Sequence, residues 1–376
     1  MELSKQFDDI RPYNDDEVKP AIERLVRHPG FTGVLNYLFE GVNAAELTRK
    51  FREVRSVDQF QVLFSYHTVE TIVKKSSAGL SYSGAEGLDP GKPYLFVANH
   101  RDIVLDAAIM QYLLYKDGYK TSQITFSENL MMDQLLLDLG KLNKMFTFYR
   151  GGSKITQYRN AMINSAYINH VLKKEKESIW IAQRNGRTKN GDDRTQTGLV
   201  KMLAMGSEQL CDSLAELNII PVTISYENEP CDILKARELY MGRKEKYVKS
   251  PNEDLKSILT GITGEKGRIH FTFGRVLNDY LSGLKSEKLH DNDAIERIAG
   301  EIDRQIHLGY KLWPNNYIAA DILEGGTRFK QNYSEKEVER FKRTMGVKIS
   351  SLVGMDSREV ETIYLEIYAR PVFNCE

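Results

Sequence analysis

The spacing of apolar positions along this chain changes character near residue 79. Before it, they recur at helical intervals. Ile22, Leu25 and Val26 follow Pro20, and His28-Pro29-Gly30 then interrupts the pattern. This predicts a first helix with Pro20 in its opening turn, where a missing N–H costs little. Val34, Leu35, Tyr37, Leu38 and Phe39 predict a second helix closed by Gly41-Val42-Asn43, and two more are expected over about 44–55 and 59–75. These helices read equally as a small bundle or as a layer packed on the remainder of the chain.

From Gly79 short apolar runs alternate with longer amphipathic stretches. The runs Tyr94–Ala98, Gln123–Phe126, Met145–Phe148, Ser178–Ala182, Ile219–Ser225 and Ile269–Phe273 predict strands. Helices are expected between them at about 107–117, 129–140, 155–174 and 197–217. The alternation predicts an α/β fold, with a largely parallel or mixed central sheet flanked by helices and an N-terminal helical segment. Two regions are expected: helical residues 1–78, and an α/β domain over 79–376 with a C-terminal helical extension (about 292–309 and 334–349). Ile363-Tyr364-Leu365-Glu366-Ile367-Tyr368-Ala369 fits a helix or a strand. Pro221 inside Ile219–Ser225 predicts an edge strand or a bulge.

Bulk properties narrow the function classes. The 376 residues carry 52 Lys+Arg against 52 Asp+Glu, so no global field points to nucleic acid and any electrostatic recognition must be local. Cys211, Cys231 and Cys375 are scattered without metal-ligand or disulfide-framework spacing. With no signal-peptide pattern, this predicts a reducing, cytoplasmic setting. No apolar run is long enough to span a bilayer, so a lipid substrate would be met peripherally, on the inner face of the membrane.

His100 is the leading chemical candidate. The run Tyr94–Ala98 delivers Asn99-His100 to a strand end, and Asp102 and Asp106 follow before the helical pattern Ala107, Ala108, Ile109, Leu113, Leu114. An imidazole held by a carboxylate takes a proton from a hydroxyl near neutral pH. A surface histidine followed by helix-capping aspartates fits the same residues. Asp106 lies one helical turn beyond Asp102, so winding returns it towards the strand end, and it is the preferred partner.

Two basic loops come next at predicted strand ends of the same sheet. One is Phe146-Thr147-Phe148-Tyr149-Arg150-Gly151-Gly152; the other is Ala182-Gln183-Arg184-Asn185-Gly186-Arg187-Thr188-Lys189. Guanidinium groups on Gly-rich loops suit a phosphate, which they grip through paired hydrogen bonds. Singly each arginine reads as a solvated charge; together with His100 they predict a phosphate pocket.

In order and spacing Asn99-His100, Arg150, Gly186-Arg187 and the Pro221 run resemble the glycerolipid acyltransferase superfamily, over roughly 92–275. The run Ile220–Glu227 is most similar to its glycerol-3-phosphate branch. Two positions depart from the family pattern. Asp106 follows His100 after five residues instead of four, so Leu105 stands where the family has Asp. Asn185 stands where it usually has Glu.

The resemblance implies transfer of a fatty acyl group from acyl-CoA or acyl-carrier protein to glycerol-3-phosphate or 1-acyl-glycerol-3-phosphate in phospholipid biosynthesis, without a metal, cofactor or covalent intermediate. His100 would be the general base, oriented by Asp106 or Asp102. Arg150 and Arg187 would bind the acceptor phosphate, helped by Gly186, Asn185, Arg184 and Lys189. The two departures keep a second reading open: a catalytically weak lipid- or carrier-binding relative, or an acyltransferase for another acceptor such as an amino-acid lipid. A phosphate-ester hydrolase using His100 and Asp102 lacks a paired metal-ligand cluster. Residues 232–250 hold six basic and three acidic residues with interleaved Leu234, Leu239, Tyr240 and Met241, which reads as a solvated helix or as a docking face for membrane or carrier protein.

Overall fold

A computed structural model describes residues 6–128, 133–206, 209–250 and 252–376. Its sheet has seven strands: β1 (Gly79–Ser83), β2 (Leu95–Ala98), β3 (Gln123–Ser127), β4 (Met145–Phe148), β5 (Ile179–Ala182), β6 (Ile219–Tyr226) and β7 (Arg268–Phe273). Their spatial order is β1-β7-β6-β2-β5-β3-β4. β2 to β6 run parallel, β7 runs antiparallel to β6, and β1 pairs with β7 in parallel. The fold is α/β with a mixed sheet. β1 escaped the apolar pattern because it is an edge strand whose Leu80 and Tyr82 are only half-buried.

Every residue of β2, β4, β5 and β6 is buried, as expected for strands covered on both faces. Alternate residues of β2 serve opposite faces: Phe96 and Ala98 join one core, Leu95 and Val97 the other. Phe31, Phe51, Phe60 and Phe64 belong to the first core, so the helices before residue 79 are a layer on the sheet. The second core is closed by helices including Lys154–His170 and Asp291–Gly309. A third core joins Asp232–Lys244 with the C-terminal helices Pro314–Glu324, Glu335–Ser350 and Ser357–Asn374. Residues 363–369 are therefore helical. The 232–250 stretch is less solvated than a surface helix, since Lys235, Ala236 and Tyr240 are buried.

Three expectations need correcting. Pro20 lies inside the helix Asp15–Arg27, because a capping box between Asn14 and Glu17 starts that helix earlier than the apolar spacing suggested. The 197–217 stretch breaks into Thr197–Leu203 and Leu210–Ala215. Pro221 is in a central strand, opposite Val97 of β2. The β6–β7 register begins only at Val222–Phe273, and the Pro221 carbonyl accepts from Gly274 N at 2.8 Å. The N–H that proline lacks is thus at the place where β7 leaves the ladder. The helix expected from 129 is described as Gln134–Leu142, with 129–132 outside the described residues. Among the described residues no helix is long and apolar enough to cross a membrane.

Candidate active site

The loop leaving β2 is tied to the neighbouring strand β6. Asn99 Oδ1 accepts from Ile224 N at 2.7 Å, and its Nδ2 donates to Ile224 O and Asp193 Oδ2, both at 3.1 Å. His100 is thereby placed at the carboxyl end of a central parallel strand, where α/β sheets bind ligands. Its Nδ1 lies 2.9 Å from Asp106 Oδ2, and the Trp180 ring packs against it in a T-shaped contact, centroids 5.7 Å apart.

Asp106 is the second residue of the helix Leu105–Lys116 and is wholly buried. Its Oδ2 also accepts the backbone N–H groups of Arg101 (2.6 Å) and Asp102 (2.8 Å), and Oδ1 accepts the Tyr226 hydroxyl at 2.8 Å. The loop 101–104 wraps its N–H groups around one carboxylate oxygen and so absorbs the extra residue between His100 and Asp106. A carboxylate accepts only, so the hydrogen bond assigns the imidazole proton to Nδ1 and leaves Nε2 as the basic nitrogen.

Asp102 occupies a different place. Its Oδ1 accepts from Val104 N (3.0 Å) and Leu105 N (2.9 Å), which caps the entry to the same helix. Its Oδ2 is buried without a hydrogen bond. Gly261 packs directly on that oxygen: a Cβ added there would sit 2.1 Å from it. Burial, reinforced by the charge of Asp106, pushes the Asp102 carboxyl above the usual carboxylate range.

The basic loops converge on the same cleft. It has a volume of about 420 Å³, and its lining includes His100, Trp180, Arg150, Arg184, Asn185, Gly186, Arg187 and Lys189. Arg150 donates to Asn185 Oδ1 and lies over the Phe148 ring, and burial lowers its pKa. Glu128 Oε1 accepts from Gly151 N at 3.0 Å and holds the Gly-rich turn behind it. Arg187 is buried, with Nη1 lacking a hydrogen-bond partner. Arg184 reaches the Asp192 carbonyl at 3.4 Å. Lys189 is ion-paired with Glu238, which makes it the least available of the cations. Gly186 has φ of +73°, a left-handed turn that lets the chain pass between the two arginines.

Several supporting residues were not found from sequence. Tyr226 stands at the end of the run containing Pro221, and its hydroxyl fixes Asp106 from a neighbouring strand. Arg101, fully buried, pairs with Asp193 and with Glu229 (3.1 Å), while Lys235 pairs with Glu229 and donates to the Arg101 carbonyl at 2.8 Å. This buried network ties the loop after His100 to the helix Asp232–Lys244. Only a charged residue flanked by His100 and Asp102 hinted at it.

Beneath the same loop, Lys266 is buried and donates to Ser76 Oγ (2.8 Å), Ile262 O (3.1 Å) and Gly264 O (2.7 Å). Burial, partly offset by Asp102, holds its pKa down to about 8. Above that pH the unfolded chain binds the proton more tightly than the native state does, so this residue's contribution to stability rises with pH up to the ordinary lysine range. Urea unfolding of wild type and Lys266→Met between about pH 7 and pH 10 is expected to show the difference shifting in favour of wild type as pH rises. A difference independent of pH would contradict the lowered pKa.

A sheet-end histidine paired with a buried carboxylate, in a cleft walled by arginines, defines a class of site suited to deprotonating a hydroxyl on an anionic substrate. Residues 79–225 match the family model described as Acyltransferase. No curated protein matches the sequence. Among solved structures, the 1-acyl-sn-glycerophosphate (LPA) acyltransferase PlsC from Thermotoga maritima is similar at 12% identity and a TM-score of 0.34, covering 73% of this chain and 95% of that one.

Proposed function

We propose that the protein is an O-acyltransferase that moves a fatty acyl group from a thioester donor, acyl-CoA or acyl-carrier protein, to glycerol-3-phosphate or 1-acyl-glycerol-3-phosphate. The observation that carries this reading is the His100–Asp106 pair opening into the arginine-walled cleft, with His100 and the arginines in the segment that matches the Acyltransferase family model. His100 Nε2 takes the proton of the acceptor hydroxyl as its oxygen attacks the thioester carbonyl carbon. The tetrahedral intermediate then collapses, the C–S bond breaks, and the imidazolium returns its proton to the leaving thiolate. Asp106 holds the ring and stabilises its cation. Arg150 and Arg187, with Arg184, hold the acceptor phosphate and so fix the hydroxyl against Nε2. The acceptor would be met at the inner face of a membrane in phospholipid biosynthesis. Exposed Ile155, Tyr158 and Met162, beside Lys154 and Arg159 on the helix that follows the Arg150 loop, suit contact with an anionic lipid surface.

Incubating purified protein with each labelled donor and a panel of glycerol-phosphate and other lipid acceptors, read by mass spectrometry, tests the proposal. A saturable acylated product that requires His100 is expected; no product from either donor would overturn it. Arg150→Ala should raise the acceptor KM by about tenfold or more and the donor KM much less, the scale of a lost charge-assisted contact. A donor-only effect would remove Arg150 from the phosphate site. Asn185 accepts a hydrogen bond from Arg150 without neutralising it. Asn185→Glu places a carboxylate where the phosphate would compete for that guanidinium, so acceptor KM is expected to rise, as steady-state kinetics would show.

A further inference from the structure

The turn that leaves β6, residues 227–232, lies just beyond the segment that matches the family model, yet it reaches the loop that carries His100. Its Glu229 holds Arg101 at both ends. Oε2 accepts from the Arg101 guanidinium at 3.1 Å, and Oε1 accepts at 2.5 Å from Lys235 Nζ, which also donates to the Arg101 carbonyl at 2.8 Å. Arg101 N in turn donates to Asp106 Oδ2 at 2.6 Å, the oxygen that holds His100. The turn itself is fixed by side chains from the last three helices. Asn315 Nδ2 donates to the Glu227 carbonyl at 2.9 Å. Lys348 (2.7 Å), Tyr364 (2.6 Å) and Tyr368 (2.8 Å) converge on Asp232 Oδ2. The buried Tyr368 hydroxyl also accepts from Glu229 N at 3.0 Å, a contact that Tyr364 does not make. Between Glu229 and Asp232, Cys231 has φ of +58°, a left-handed conformation that a residue with a side chain keeps only where its surroundings impose it.

We propose that Tyr368 is a positioning residue for the reaction at His100: its hydroxyl sets Glu229, and Glu229 sets, through Arg101 and Lys235, the loop that orients Asp106 and His100. The inference rests on the acyl-transfer reading, and it gives the C-terminal helices, which the sequence resemblance does not reach, a part in holding the site. A tyrosine hydroxyl both donates and accepts, so it bridges the Asp232 carboxylate and the Glu229 amide as a phenyl ring cannot. Without it the Glu229 N–H is left buried and unpaired, and the turn has to shift to give it a partner. Such a shift moves the carboxylate that neutralises Arg101 and Lys235, and in a buried network each member's place depends on the others. A displacement of about 1 Å at the reacting groups is enough to lower turnover.

The test compares Tyr368→Phe with Tyr364→Phe in the full chain. Each removes one buried hydroxyl from Asp232 and keeps its ring in place, but only the first unpairs Glu229. Tyr368→Phe should lower kcat by about tenfold and change the acceptor KM much less, because Arg150 is untouched, while Tyr364→Phe should keep kcat within about twofold. Hydrogen exchange read by mass spectrometry gives a second measure that needs no substrate. The peptide covering 100–106 should exchange about tenfold or more faster in Tyr368→Phe and within about twofold of wild type in Tyr364→Phe. Urea midpoints of both variants check folding, and a purely structural role would lower both midpoints while leaving kcat of the folded protein unchanged. Equal losses of kcat in the two variants, a KM effect alone, unchanged exchange over 100–106, or failure of Tyr368→Phe to fold would overturn the assignment. Faster exchange in Tyr368→Phe with no transfer by wild type from any donor would overturn the acyl-transfer reading and leave the link from Tyr368 to the His100 loop standing.

Discussion

His100→Ala is expected to lower kcat for acyl transfer by about two to four orders of magnitude, the contribution of a positioned general base. Stability should change by only about 1 kcal/mol or less, because the side chain lies at a strand end and is not part of the apolar core. Removing it does not strand a buried charge. Asp106 Oδ2 keeps the N–H groups of Arg101 and Asp102, and Oδ1 keeps the Tyr226 hydroxyl. The loop is held independently by Asn99 on Ile224 and by Arg101 on Asp193 and Glu229. Single-turnover rates at saturating acceptor, compared with chemical-denaturation midpoints, separate the two effects. A variant that retains more than about a hundredth of the wild-type rate would remove His100 from the proton-transfer step.

How much of this was legible depends on how local the signal is. The core strands announced themselves because both faces are buried, so Leu95–Ala98 and Ile179–Ala182 read as unbroken apolar runs. His100 and the arginines were legible for a related reason: each comes directly after such a run. β1 gave no signal because an edge strand with half-exposed Leu80 and Tyr82 alternates too weakly. Pro221 misled because its cost depends on which neighbour faces the missing N–H, and that is fixed by β7, some fifty residues later in the chain. The contacts of Tyr226 with Asp106 and of Asp193 and Glu229 with Arg101 are equally non-local, spanning 120, 92 and 128 positions. Spacing within one segment carries no trace of such pairings. The relation of His100 to Asp106 and Asp102 was accessible because a single loop and one helical turn contain it.

Asp106→Asn is expected to reduce kcat by about a hundredfold or more, through loss of charge and not through loss of geometry. Three donors converge on Oδ2: His100 Nδ1–H, Arg101 N–H and Asp102 N–H. An asparagine amide in this site must therefore turn its carbonyl oxygen to that side and its NH₂ towards Tyr226. The Tyr226 hydroxyl donates to Oδ1 in the native protein and can rotate to accept. The Nδ1–H tautomer of His100 is then preserved, whereas an amide NH₂ facing the ring would force the other one. What disappears is the negative charge that stabilises the imidazolium as the acceptor loses its proton, so the loss should be smaller than where the tautomer is also inverted. Asp102→Asn is the contrast. Burial already pushes that carboxyl towards its neutral form, and Oδ1 remains able to cap Val104 and Leu105. Turnover within a few-fold of wild type and a stability change of about 1 kcal/mol or less are expected. Measuring kcat and unfolding midpoints for both variants decides between the carboxylates. A collapse of turnover in Asp102→Asn with near-normal turnover in Asp106→Asn would transfer the orienting role to Asp102, through a rearrangement of the loop that brings its unpartnered Oδ2 to the imidazole.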